Sequence, residues 1–308
     1  MTDSIAEQAA PAARHSPFSD PGPYRDLVAS IAPEPSSIHR AVTATIVHYR
    51  ADRVPAGEHQ QPDIDLRWVT SILEVATERA DIALDAPRPA AARVGGCCRD
   101  HSLLGVSILR EHGVPARTRL GFADYFTPDY RYDHVVIERY VDGRWSRFDP
   151  ELDASEFAFD VADLPTGEGA PFETAAEAWL AYRAGRTDLA AYGVGPGAPF
   201  GGPGFVQGYV IGDIAHRHGC ELLLWDGWGA MAGPSGGVPD ELAAFTDRLA
   251  RLTVAADAGD AGAAEAEREL AEIWRTDDRV RAGSRIRTFT PHDRVGVVDL
   301  ETRTTEWA

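Results

Sequence analysis

Cysteine is scarce in this sequence: three occur in 308 residues, two adjacent at 97 and 98 and one at 220, so a disulfide framework is excluded. No apolar run approaches the length of about 18 residues that a membrane-spanning helix needs. The opening MTDSIAEQAAPAARHSPFSD has neither the basic nor the apolar segment of a secretory leader. Positive charge is also short. Against 48 acidic residues there are 30 basic ones, a formal charge of -18 that repels nucleic acid and anionic membranes. The Gly/Pro-rich stretch DLAAYGVGPGAPFGGPGF contains no GK[ST], which excludes a P-loop. His216, His218 and Cys220 lack a second Cys/His group at zinc spacing, and alternate helix positions do not face one another. A cytoplasmic chain without cofactor or metal, acting on neutral or basic partners, is the expectation.

The informative stretch is 95–153. CCRDHSLLGVSILREHG reads as a helix with an apolar side made by Leu103, Leu104, Ile108 and Leu109, stopped by Gly113 and Pro115. Cys98 falls at its first turn, where unpaired N–H groups and the helix dipole favour a thiolate, so Cys98 is a candidate nucleophile. Three strand-like runs follow, ARTRLGFADYF, DHVVIERYV and RWSRFDP, the last two joined by Asp142-Gly143. A two-residue Asp-Gly loop fixes the hairpin register. It opposes Val136 to Asp149 and makes His134 and Asp149 diagonal neighbours on one face, with Cβ atoms at most roughly 7–8 Å apart. Val135, Ile137 and Phe148 then face a core. A lone cysteine is ordinarily a small buried hydrophobe and a strand histidine a core residue. The ordered trio is what lifts Cys98, His134 and Asp149 above those readings.

These residues resemble the transglutaminase-like superfamily of papain-like thiol enzymes. The resemblance rests on Gly96-Cys97-Cys98-Arg99-Asp100 with Leu103, on Gly113-Val114-Pro115-Ala116-Arg117, on His134 with Val135 and Val136, and on Gly143, Trp145, Asp149 and Pro150. It covers about residues 60–155. It implies an α+β papain-like core and a Cys98–His134–Asp149 triad working through an acyl-enzyme. Substrate is left open, because the superfamily includes crosslinkers, amidases, proteases, biosynthetic acyltransferases and inactive members. Cys98 is preferred to Cys97 because the family uses the residue immediately before Arg-Asp. Cys97 is expected to pack against the sheet, with Arg99 and Asp100 tying the helix start to loops. His101 is a rival base without a strand-borne partner and reads as an apolar-face or surface histidine. Relatives take an oxyanion donor from a Gln, Trp or Tyr upstream; Gln60, Gln61 and Trp68 are the nearby residues considered.

The remainder divides into a flexible tail over 1–23, a catalytic core over 24–200 and a mostly helical extension over 201–308. Ser36 or Ser37 would cap a helix running to Tyr49, and a second helix would span about 66–84. Residues 186–205 read equally as a lid or a plain linker. Trp225 and Trp228 read as helix-packing aromatics or as the lining of an acyl pocket. The helices of 238–275 would cover the core or carry a protein partner. Together these readings favour hydrolysis or aminolysis of a small amide, peptide or thioester through Cys98, with water or an amine as acceptor. The alternatives are an amide-forming acyltransferase of a small-molecule pathway and an inactive interaction protein.

Overall fold

The computed structural model describes residues 9–50, 57–233 and 236–308. Its α-helices are α1 (Arg25–Ala29), α2 (Pro35–Thr45), α3 (Val69–Arg79), α4 (Cys98–Glu111), α5 (Ala175–Arg183), α6 (Gly202–Arg217), α7 (Asp240–Asp257) and α8 (Ala263–Thr276). Strands β1 (Ile46–His48) and β2 (Val94–Gly96) pair in parallel, His48 opposite Gly96. β3 (Ala116–Ala123), β4 (Arg131–Val141), β5 (Arg144–Phe148) and β6 (Phe172–Thr174) form an antiparallel sheet in the order β5-β4-β3-β6. β7 (Tyr192–Gly193) adds to β4 in parallel. β8 (Asp226–Gly227), β9 (Arg285–Phe289), β10 (Val295–Asp299) and β11 (Thr304–Trp307) make a second antiparallel sheet. The fold is α+β, a helix–sheet core with added C-terminal helices.

The β4–β5 hairpin has the register that its turn dictates: Ile137 opposes Phe148 and Val141 opposes Arg144. Asp142 and Gly143 take φ of 51° and 78°, the left-handed pair that an I′ turn needs and that Asp-Gly tolerates. Ile137 and Phe148 enter a core with Leu103, Leu104 and Ile108 of α4. Helix α4 is bolted to β4 beside His134 by Ser102 Oγ, which donates to the Val135 carbonyl at 2.8 Å.

Helix boundaries differ from expectation upstream. α2 starts at Pro35 with Glu34 as its N-cap residue, so neither Ser36 nor Ser37 caps it, and the chain turns extended at Ile46. Three residues of β-branched or aromatic-flanked strand find a partner in β2, which local periodicity could not reveal. α3 spans 69–79 rather than 66–84: residues 66–68 are extended, and Arg67 spends its backbone and guanidinium on the second sheet and the Cys helix. α6 begins at Gly202, inside the Gly/Pro-rich stretch.

Residues 1–8 of the expected tail lie outside the described residues, and several side chains within 9–23 are packed against the rest of the chain. Ala9 and Ser19 are fully buried, Phe18 stacks on Trp68 with ring centroids 6.3 Å apart, and Ser16 donates to Glu221 at 2.7 Å. The apolar stripes of α7 and α8 turn inward, with Leu249, Ala250, Leu270 and Ile273 in the same core as Cys98. No helix among the described residues is long and apolar enough to cross a membrane.

Candidate active site

The loop after β2 places Cys97 at the N-cap of α4 and Cys98 at its first residue. Strand β2 must lie close against the 58–65 segment, and Gly95 permits it: a Cβ there would meet the Gln60 carbonyl at 2.5 Å. Asp100 accepts from Cys97 N–H at 2.8 Å and from Arg99 Nη1 at 2.8 Å. Arg99, fully buried, also donates to the carbonyls of Arg67 and Glu221. Arg99 and Asp100 thus fix the helix start to neighbouring loops, as the sequence suggests.

His134 Nε2 is 2.6 Å from Asp149 Oδ2, and both side chains are almost wholly buried. Two further donors converge on the same carboxylate, Tyr125 Oη to Oδ2 at 2.6 Å and Glu151 N–H to Oδ1 at 2.9 Å. Burial would raise the Asp149 pKa, but His134, Tyr125 and the Glu151 amide outweigh it and hold the carboxyl below its ordinary value. Burial would likewise lower His134; the Asp149 carboxylate and its hydrogen bond prevail and the imidazole pKa is raised.

Cys98 is 4% exposed. Its thiol pKa is pushed well above the ordinary value, first by donating to Cys97, then by burial and the nearby charges of Glu151 and Asp133. Burial and neighbouring negative charge thus oppose the thiolate that a helix start favours. The helix terminus acts in the expected direction, but in a dry site lined by carboxylates it is outweighed. Cys97 is also buried, in the same apolar cluster as Leu120 and Val135 of the sheet.

Several neighbours carry no sequence signal. Because β1 pairs with β2, His48 and Tyr49 arrive beside the cysteines; a His48 ring nitrogen, Cys98 Sγ and a Glu151 oxygen lie within 4.8 Å of one another. His48 is held well below its ordinary pKa by burial and by His101, and its ring stacks between Tyr49 and His101 at 5.4 and 6.4 Å. His101 is buried rather than on the surface, with Nδ1 3.0 Å from the Cys97 carbonyl and 3.6 Å from Glu151. Glu151 also lies within 4.8 Å of donor atoms of His134 and Asp149. The two groups differ: His48, Cys98 and Glu151 bring an imidazole, a thiol and a carboxylate together, whereas the His134 and Asp149 atoms of the second are already hydrogen-bonded to one another, so that group is a hydrogen-bonded pair rather than an open ligand set.

The residues considered as oxyanion donors have other surroundings. Gln60 Nε2 donates to the carbonyls of Ala90 and Arg93, pinning that loop, and Gln61 is exposed. Trp68 is sandwiched between Phe18 and Arg303. Trp225 is edge-on to Tyr49 at 6.3 Å, whereas Trp228 donates to the Val280 carbonyl at 2.7 Å. His216 is a structural residue held by Thr118 at 2.7 Å and the Leu222 carbonyl at 3.1 Å, its pKa lowered to about 3 by burial.

Residues 66–150 match the family described as the Transglutaminase-like superfamily, so a domain of that superfamily is present, spanning the cysteine helix and the His–Asp hairpin. A solved structure from Cytophaga hutchinsonii, whose name proposes a cysteine protease, is similar at 20% identity over 49% of this chain and 45% of that chain, with a TM-score of 0.30. Less than half of either chain is shared, and the likeness adds nothing about this site. A search of curated proteins finds no match.

Proposed function

We propose that the chain is a cysteine-dependent acyl-transfer enzyme with a papain-like arrangement of Cys98, His134 and Asp149. The buried 2.6 Å contact between His134 and Asp149, on the hairpin packed against the cysteine helix, carries this reading. In the resting site the thiol keeps its proton. Substrate binding brings a carbonyl to Sγ; His134 takes the thiol proton through the ring nitrogen not committed to Asp149, and Asp149 stabilises the imidazolium. The sulfur adds to the carbon, and the developing oxyanion is met by the Cys98 N–H at the helix start. Imidazolium then protonates the leaving amine or thiol, and an acyl-enzyme remains for water or an amine to release.

Hydrolysis or aminolysis of a small amide, peptide or thioester is the leading reaction, with amide-forming acyl transfer as the alternative. The low exposure of Cys98 favours the opposed reading, an inactive fold used for interaction. That reading loses its surface, however, because the stripes on α7 and α8 that would contact a partner face this chain's own core. The test is intact-mass analysis after incubation with electrophilic amides and thioesters, with and without added amines. An adduct on wild type and Cys97→Ala but not on Cys98→Ala supports the assignment. Labelling that follows Cys97 instead overturns the choice of sulfur, and no adduct from a folded protein supports the interaction reading.

A further inference from the structure

We infer that Tyr125 is a positioning residue that sets how tightly His134 holds its proton, acting through Asp149. The inference rests on the triad reading above. Tyr125 lies just beyond the end of β3, and its hydroxyl donates to Asp149 Oδ2 at 2.6 Å, the oxygen that also accepts from His134 at 2.6 Å. An oxygen shared between two donors delivers less of its charge to each, so the phenol weakens the grip of the carboxylate on the imidazolium.

The hydroxyl is aimed by packing. The Tyr125 ring stands at 90° to the His134 ring with centroids 6.0 Å apart, and Phe157 and Phe159 wall its other sides at 5.8 and 5.5 Å. Burial and the adjacent Asp149 push the phenol pKa far above its ordinary value, so across the working range it remains a donor. Its neighbour Phe126 packs on the Tyr125 ring as well, with centroids 4.8 Å apart, and serves to separate the effect of packing from that of the hydroxyl. The Phe126 ring also meets the imidazole edge-on, at 5.1 Å, but it is 44% exposed and has no hydroxyl.

For a thiol that starts protonated, the consequence is kinetic. His134 must accept the Cys98 proton and then surrender it to the leaving group. A carboxylate without the phenol would hold the imidazolium too tightly for the second step.

The experiment follows the His134 ring by nitrogen-resolved NMR across pH, together with the pH profile of Cys98 alkylation by iodoacetamide. Tyr125→Phe is expected to move the His134 titration upward by about one pH unit, the scale of one lost hydrogen bond to a charged acceptor. Phe126→Ala is expected to leave it in place. If Tyr125→Phe fails to fold, 3-fluorotyrosine at 125, a stronger donor of nearly the same shape, is expected to move the titration downward. An unmoved titration with only a lower melting temperature would overturn the inference, as would equal shifts in Tyr125→Phe and Phe126→Ala. Failure of the triad reading looks different: His134→Ala would leave the alkylation profile unchanged, while the wild-type titration would still respond to position 125.

Discussion

His134 and Glu138 stand on the same face of β4, four residues apart, and each joins a buried pair of opposite charges, yet the two ends of the strand are built from different chemistry. Glu138 receives Arg117 Nε at 2.6 Å, Arg119 Nη1 at 2.9 Å and Arg147 Nε at 2.9 Å. Arg119 continues to Asp213 and Asp257, and Arg217 to Asp257 and Glu267. Guanidinium groups do not give up protons in a protein, so every positive charge at this end is fixed. At the His134 end, Asp149 meets an imidazole, a phenol and a backbone amide, with a thiol nearby. Only the first end can be permanently paired. The second can move a proton, which is what the proposed acyl transfer would ask of it.

The sharpest way to separate the ends is to delete one member of each. Glu138→Ala leaves three buried arginines short of a carboxylate and is expected to cost roughly 3–5 kcal/mol of unfolding free energy, read from the shift in urea midpoint. His134→Ala is expected to cost less stability but to slow formation of the Cys98 acyl adduct by about 10²–10⁴. If instead Glu138→Ala is nearly neutral and His134→Ala unfolds the protein, the division of labour between the ends is wrong.

Acidity should then resolve the ends by sign. Glu138 and Asp257 are held far below the ordinary carboxyl range, burial being outweighed by their arginines. Their contribution is therefore present above the unfolded value of roughly 4 and is lost as pH falls towards the folded one. His134 is raised above its unfolded value of about 6.5, so its contribution is full below that pH and is lost as pH rises through the folded value. Melting temperatures of wild type and Glu138→Gln should converge in acid, and those of wild type and His134→Ala should converge at mildly alkaline pH. Convergence of both pairs on the same side would break the comparison.

The smallest effect is expected at the surface end of the same hairpin. Arg144 pairs with Asp163, but both are well exposed, and Arg144→Ala should change the urea midpoint by an amount equivalent to under about 1 kcal/mol. A loss comparable to that of Glu138→Ala would mean that burial is not what separates strong pairs from weak ones here.

How much of this was legible in the sequence depended on the range of the interaction. The Asp142-Gly143 turn dictated register, and register alone put His134 within reach of Asp149. The cysteine helix announced itself by its apolar side and its Gly-x-Pro stop. His48 and Tyr49 stayed hidden because a parallel pairing with residues almost fifty positions away leaves no local trace, and the preceding helix pattern seemed to run through them. Tyr125 is one aromatic among several in ADYFTPDYRYD, with nothing in spacing to single it out. Gln60 and Trp68 were attractive for their side-chain types, but type does not fix place: one holds a loop and the other fills a core. The burial and the carboxylates that push the Cys98 thiol pKa up leave no mark in the sequence, whereas a helix terminus can be read from it.

Arg99 and Arg67 give the site a history as well as a shape. Arg99, next to the proposed nucleophile, donates to the carbonyl of Glu221 as well as to Asp100 and the Arg67 carbonyl, and the Arg67 guanidinium donates to Asp226 and Thr288. Glu221, Asp226 and Thr288 lie more than a hundred residues downstream, so they leave the ribosome long after the cysteine helix and the hairpin have been made. Until they arrive, two guanidinium groups destined for burial must remain in water, and the helix start that presents Cys98 cannot close around them. The helix start that presents Cys98 is thus translated early but completes these hydrogen bonds late, and a nascent chain ending before residue 221 would hold the three proposed catalytic residues without the downstream partners of Arg99 and Arg67.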